Sequence, residues 1–197
     1  SSGSPLYAAK RIIGLNVPLE GAPVLGDMNS AVKVAYFADY QCPFCKRYDQ
    51  NVFPGIKKEF VDTNKVAYYF KDYQFLSSDS NDAGNAGQCA FEQGNALFWE
   101  YLKMMYSRQG AEFSGWAAKG KILEYVKDMN GLDYNSFSEC VSSDKYLGKV
   151  VASFDFGKSL GGIGTPAVFI NDVQVSGAYP YDTFKEIIDG EIASKTV

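Results

Sequence analysis

Ala31-Val32-Lys33-Val34-Ala35-Tyr36-Phe37-Ala38-Asp39-Tyr40-Gln41-Cys42-Pro43-Phe44-Cys45 is the stretch on which the reading of the whole chain turns. Its first eight residues are rich in β-branched and aromatic side chains and too few for a helix, so a buried strand is expected. Asp39-Tyr40-Gln41 is a polar break. Beyond the cysteines, Tyr48 and Val52 stand four apart with polar residues between them, which is helical spacing, and Pro54 interrupts it. A Cys-x-x-Cys pair therefore lies between the end of a strand and the start of a helix. The first N–H groups of a helix have no partner within it and its dipole is positive there, so a thiolate on Cys42 is stabilised. Pro43 suits the first turn, because the N–H it lacks would have had no partner. Two intervening residues put both sulfurs within bonding distance on one turn, with Cys42 expected outward and attackable and Cys45 beneath it.

Such a pair can serve dithiol–disulfide exchange, form half of a zinc site, or act as a passive crosslink. A four-cysteine zinc site needs a second close pair, and the other two cysteines, Cys89 and Cys140, are far from the motif and from each other. Spacing and context favour redox exchange, with no metal and no organic cofactor, since the electrons reside on the two sulfurs.

The composition narrows the alternatives. The 197 residues are 46% hydrophobic, 15% aromatic and 21% charged, the make-up of a globular chain with a sizeable core. Nineteen Lys and Arg face 23 Asp and Glu, a net charge of -4 with no basic block, which argues against nucleic-acid binding. Histidine is absent, so triads, Cys–His pairs and histidine metal helices are excluded. No apolar run reaches the length of a membrane helix.

Outward from the motif, Gly21-Ala22-Pro23-Val24-Leu25-Gly26-Asp27 reads as turns before the first firm strand, and Val66 to Tyr73 as a second strand. From Ser80 to about Leu160 the pattern is helical: Ala86–Ser107 as one long segment, then Lys119–Met129, Tyr134–Val141 and Lys145–Leu160. The aromatic and Met-rich run from Phe98 to Met105 has the spacing of core positions. Strands return at Ala167–Ile170 and Val173–Val175 around a turn at Asn171-Asp172, and a last helix follows from about Tyr181, with Pro180 in its first turn. The expected fold is α/β. Residues 1–30 are an N-terminal extension in which Ser1-Ser2-Gly3-Ser4 reads as a cloning remnant. Residues 31–78 and 161–197 form one α/β domain, and 79–160 a helical insertion.

Gly164-Thr165-Pro166-Ala167-Val168-Phe169-Ile170 adds a second mark. A proline directly before an apolar strand is confined to its start, and X-Pro is the bond at which cis isomers occur. With this mark downstream of the cysteine pair, the sequence resembles the DsbA-like thiol-disulfide oxidoreductases of the thioredoxin superfamily, in particular the branch with the Gram-positive BdbD-type and archaeal enzymes. The resemblance runs from Gly21 onward through Phe37–Cys45, Cys89-Ala90-Phe91-Glu92-Gln93-Gly94 and Gly164–Ile170. It implies a thioredoxin-like fold with a helical insertion between the cysteine half and the proline half. Cys42 is then the attacking nucleophile, Cys45 its buried partner, Pro166 a cis-proline, and Thr165 a residue whose backbone pairs with an extended substrate chain.

The resemblance further implies an extracytoplasmic oxidase, monomeric, acting on reduced proteins with free thiols and reoxidised by a membrane partner of the DsbB or VKOR kind. An isomerase or reductase of the same superfamily and a non-catalytic peptide-binding chaperone are the competing readings. The dipeptide here is Pro43-Phe44 where the strongly oxidising relatives carry Pro-His, and Tyr36 stands where many carry a buried Glu. Asp39 is then the nearest upstream carboxylate, either a proton relay or a loop acceptor at the helix start. Cys89 and Cys140 are either two buried thiols or, as in some relatives in an oxidising compartment, a structural disulfide across the insertion.

Overall fold

The computed structural model describes residues 9–196, and the reading of Ser1–Ser4 lies outside them. In chain order the elements are strands β1 (Ala9–Arg11), β2 (Val24–Gly26) and β3 (Val32–Ala38), helices α1 (Pro43–Asn51) and α2 (Phe53–Ile56) with a π-helical turn Lys57–Val61, and strand β4 (Val66–Asp72). Helices α3 (Ser78–Gln93), α4 (Asn95–Ser107), α5 (Lys119–Tyr125), α6 (Tyr134–Ser142) and α7 (Leu147–Ser159) follow, then strands β5 (Ala167–Ile170) and β6 (Val173–Ser176) and helix α8 (Tyr181–Lys195). This is an α/β fold of the thioredoxin kind with a helical block between its two halves. The sheet order is β1-β6-β5-β3-β4-β2. β3 runs antiparallel to β5 with Tyr36 opposite Val168, and β5 antiparallel to β6.

The chain divides into two compact units. The first holds the described residues up to Phe37, Arg47–Lys71 and those from Ile163 on, and so most of the sheet and α8. β3 is buried at all but Lys33, the signature of a strand covered on both faces. The Tyr36 ring lies 4.7 Å from Tyr48 of α1 and 5.7 Å from Phe70 of β4, centroid to centroid. The hydroxyls of Tyr48 and Tyr68 meet at 2.9 Å, so these buried rings meet their polar requirement within the core. Tyr36 is thus part of a buried aromatic cluster.

The second unit holds Ala38–Lys46 and Asp72–Gly162, that is, the turn before the cysteines, the first turn of α1 and the helical block. Phe98, Tyr101, Leu102, Met105 and Tyr106 of α4 are all buried, so the aromatic and Met-rich run is core. The stretch 86–107 is two helices rather than one. Gly94 (φ 159°) separates them in a conformation that a side chain rarely adopts. α3 also begins earlier than hydropathy indicates, because Asp79, Ser80 and Asn85 in its first turns are buried polar residues. The Gly21–Asp27 stretch, expected as turns, contains β2, and β1 has no sequence signal; strands of three residues at sheet edges show no alternation to read.

Within this unit α3 presses closely on the turn before Cys42. A Cβ added at Gly87 would stand 2.6 Å from the Tyr40 hydroxyl and 3.2 Å from the Tyr101 ring. Both tyrosines are fully buried, and their rings meet edge to face at 5.6 Å, so neither can swing away. Gly87→Ala gains about 1 kcal/mol of helix propensity but incurs an overpacking cost of about 1–3 kcal/mol. A net loss of stability is therefore expected, read as a lower denaturant midpoint; a stabilised variant would show that the Tyr40 ring is free to move.

Candidate active site

Cys42 is the N-cap of α1 and Pro43 its first helical residue. The Cys42 carbonyl accepts from the N–H groups of Cys45 (3.1 Å) and Lys46 (3.2 Å), which starts the helix. The Cys45 N–H also points at the Cys42 Sγ, 3.4 Å away. The sulfur thus takes the place that a serine or aspartate oxygen takes in an ordinary N-cap, sharing the Cys45 N–H with the Cys42 carbonyl. Cys42 is 4% exposed and Cys45 0%. Cys42 is the more accessible of the two, but it is buried and not outward as the sequence leads one to expect. Phe44, between them, is 54% exposed.

The turn carrying Cys42 is tied down at each residue. The Cys42 N–H donates to the Asp39 carbonyl (3.1 Å) and the Gln41 N–H to Asp39 Oδ1 (2.8 Å). Gln74 Oε1 accepts from the Tyr40 N–H at 3.2 Å, while Gln74 Nε2 donates to the Ala38 carbonyl and to Asp72. Gln109 Nε2 donates to the carbonyls of Tyr40 (2.8 Å) and Cys42 (3.0 Å). Trp116 Nε1 donates to Gln41 Oε1 at 2.7 Å, and because an indole nitrogen can only donate, it fixes which end of that amide faces it.

Asp39 is fully buried and accepts four hydrogen bonds. Oδ1 takes the Gln41 N–H and the Ser80 hydroxyl, and Oδ2 the N–H groups of Phe75 and Leu76, all at 2.8 Å. Burial raises its pKa above the ordinary carboxylate value, against the lowering effect of these donors. The carboxylate joins three segments of chain: the Cys42 turn, the loop after β4 and the first turn of α3.

The other predicted residues lie elsewhere. The Thr165–Pro166 bond is cis, and the Pro166 carbonyl accepts from the Gly177 N–H at 2.8 Å just before β5 pairs with β6. Both residues belong to the first compact unit, whereas Asp39, Cys42 and Cys45 belong to the second. Cys89 of α3 and Cys140 of α6 are joined by a disulfide, with Cα atoms 5.9 Å apart. Sequence reasoning missed Gln74, Ser80, Gln109 and Trp116. Each is a polar or amphipathic side chain 30 or more residues from the turn it serves, and no local spacing announces it.

A Cys-x-x-Cys pair at a helix start following a central strand, with a cis-proline entering another strand of that sheet, defines the thiol-disulfide oxidoreductase class of the thioredoxin fold. The thioredoxin family's profile matches residues 19–190, and the chain belongs to that family. It is 31% identical to the probable disulfide bond formation protein D of Bacillus cereus over 85% of this chain and 77% of that one. The crystal structure of oxidised BdbD from Bacillus subtilis superposes with a TM-score of 0.83 at 26% identity, covering 89% of this chain and 95% of that one. Chlamydia trachomatis DsbA shares the fold, with a TM-score of 0.82 at 19% identity over 90% and 95% of the two chains. The chain is a DsbA-like protein-disulfide oxidoreductase.

Proposed function

We propose that this oxidoreductase works as an extracytoplasmic disulfide oxidase, donating a Cys42–Cys45 disulfide to folding proteins. The observation that carries the reading is the Cys45 N–H aimed at the Cys42 sulfur at the start of α1. An N–H there, with the helix dipole behind it, favours the thiolate over the thiol and so favours the reduced enzyme, which makes the disulfide a good donor. A substrate thiolate attacks the Cys42 sulfur, a mixed disulfide forms, and Cys45 leaves as a thiolate and takes up a proton. A second substrate thiolate attacks the substrate sulfur of that mixed disulfide and releases Cys42. The substrate has lost two electrons and two protons, and the enzyme holds the electrons until a membrane reoxidase of the DsbB or VKOR kind removes them.

Two further features support this reading. Phe44 and Phe75 are large exposed apolar side chains on the segments tied by Asp39, a surface suited to unfolded polypeptide. Thr165 and Pro166 are the residues we assign to backbone pairing with an extended substrate. Asp39, with both oxygens already accepting two donors each, is assigned to holding the turn rather than to relaying protons.

The test is a Cys45→Ala variant whose Cys42 is first converted to its mixed disulfide with glutathione by reaction with glutathione disulfide. It is then incubated with a reduced substrate protein, whose thiolate attacks the Cys42 sulfur and displaces glutathione as a thiolate. A mixed disulfide should accumulate through Cys42, and Cys42→Ala should abolish it. The unaltered oxidised protein should speed refolding of the reduced substrate. Faster rescue of a scrambled substrate would indicate an isomerase, faster insulin reduction a reductase, and binding without exchange a chaperone; any of these in place of oxidation overturns the proposal.

A further inference from the structure

We propose that Gln109 is a positioning residue for exchange at Cys42, acting through the carbonyl groups on either side of the nucleophile's turn; this rests on the reading of Cys42 as the attacking sulfur. One side-chain nitrogen of Gln109 donates to the carbonyls of Tyr40 at 2.8 Å and of Cys42 at 3.0 Å. An amide nitrogen carries two hydrogens, so both bonds form at once. The side chain comes from a fixed place: Gln109 follows α4, and its own N–H bonds to the Tyr106 carbonyl at 3.3 Å. It touches neither sulfur in these contacts.

The consequence lies in the backbone of the N-cap. The Cys42 carbonyl must accept the first helical N–H groups while its side chain faces the Cys45 N–H at 3.4 Å. Holding that carbonyl from outside the helix, and the Tyr40 carbonyl two residues earlier, restricts the dihedrals that aim the sulfur. Without Gln109 the turn keeps its bonds to Asp39 and Gln74, including that of the Cys42 N–H, but the Cys42 carbonyl loses its restraint from outside the helix. A sulfur less well aimed at the N–H gains less from it as a thiolate, while the disulfide form loses little. The helical block thereby tunes the motif.

The experiment uses the full chain with Gln109→Met, near-isosteric and without a donor, and Gln109→Glu, which sets an ionised acceptor against two carbonyls. Each is equilibrated with mixtures of reduced and oxidised glutathione, in which two glutathione thiols reduce the Cys42–Cys45 disulfide and leave as glutathione disulfide. Quenching with an alkylating reagent and weighing the peptide that carries both cysteines reads this pair alone and leaves Cys89–Cys140 out of the count. The equilibrium should shift about three- to tenfold toward the enzyme disulfide, the range expected for the net worth of an intramolecular hydrogen bond, and the pH profile of Cys42 alkylation should move to higher pH. Folded variants whose equilibrium and pH profile superimpose on the unaltered protein would overturn the proposal, even with a lowered melting temperature, since that marks mere support of the fold. If Gln109→Met does not fold, Gln109→Glu and Gln109→Asn, with the amide on a shorter arm, decide by the same two readouts. Failure of the unaltered protein to exchange through Cys42 overturns the underlying reading and this proposal with it.

Discussion

Asp39→Ala is expected to cost about 3 kcal/mol of stability and most of the exchange activity. The variant strips an acceptor from three backbone N–H groups and one hydroxyl at once. A buried donor left without a partner costs about 1–3 kcal/mol, and the Phe75 and Leu76 amides, being only partly buried, fall at the low end. Relief from burying a carboxylate offsets part of this loss. Asp39→Asn keeps one oxygen but turns an NH2 group toward donors, so it should recover little. The three tied segments include the Cys42 turn, and loosening it disorders the sulfur's approach to the Cys45 N–H. Urea melts and the rate of mixed-disulfide formation check both parts. An alanine variant of unchanged stability would show that water takes over the donors.

The same residue gives a pH signature. Because burial raises its pKa, the folded chain binds a proton at Asp39 at higher pH than the unfolded chain does. Its contribution to stability is fully present below the ordinary carboxylate pKa and is lost as pH rises through the raised value. The stability difference between the unaltered protein and Asp39→Asn should therefore shrink with rising pH in that window and stay level at neutral pH. A difference that grows with pH there would mean that the four hydrogen bonds outweigh burial.

What the sequence makes legible here follows the range of the interactions. The strand before the cysteines, the helix after them and Pro43 at its first position are set by residues within a turn of one another, so propensity and spacing suffice. β5, its turn and β6 are equally local. The supports of Cys42 are not. Gln109 and Trp116 approach it only because α4 and the segment after it fold back on the turn, and an amide donating to two carbonyls has no periodicity. Polar residues buried in α3 hide its first turns from hydropathy, and Gly94 is a break that an apolar pattern reads through. Asp39 is visible in the sequence as a carboxylate near the motif. The donors that occupy its oxygens, from Phe75, Leu76 and Ser80, are brought to it from more than thirty residues away and leave no local mark.

Replacing Cys89 and Cys140 together by alanine is expected to cost about 4 kcal/mol, and so to lower the melting temperature by about 8–16 °C. The bond joins α3 to α6 across 51 positions of sequence. In the unfolded chain it holds those ends together, and on the chain-entropy estimate closing a loop of that length supplies the figure given. Both residues are buried, so the loss of two sulfurs from the packing adds to the cost rather than offsetting it. The effect should concentrate in the unit that contains the bond. Amide exchange in α3 and α6 should quicken more than in β3 and β5, whose hydrogen bonds belong to the sheet. Trapping through Cys42 should survive, because none of the contacts that hold its turn passes through either sulfur. A double variant with unchanged melting would mean that the unfolded state is compact enough to need no crosslink; one that folds but no longer traps substrate would tie the helical crosslink to the chemistry of Cys42.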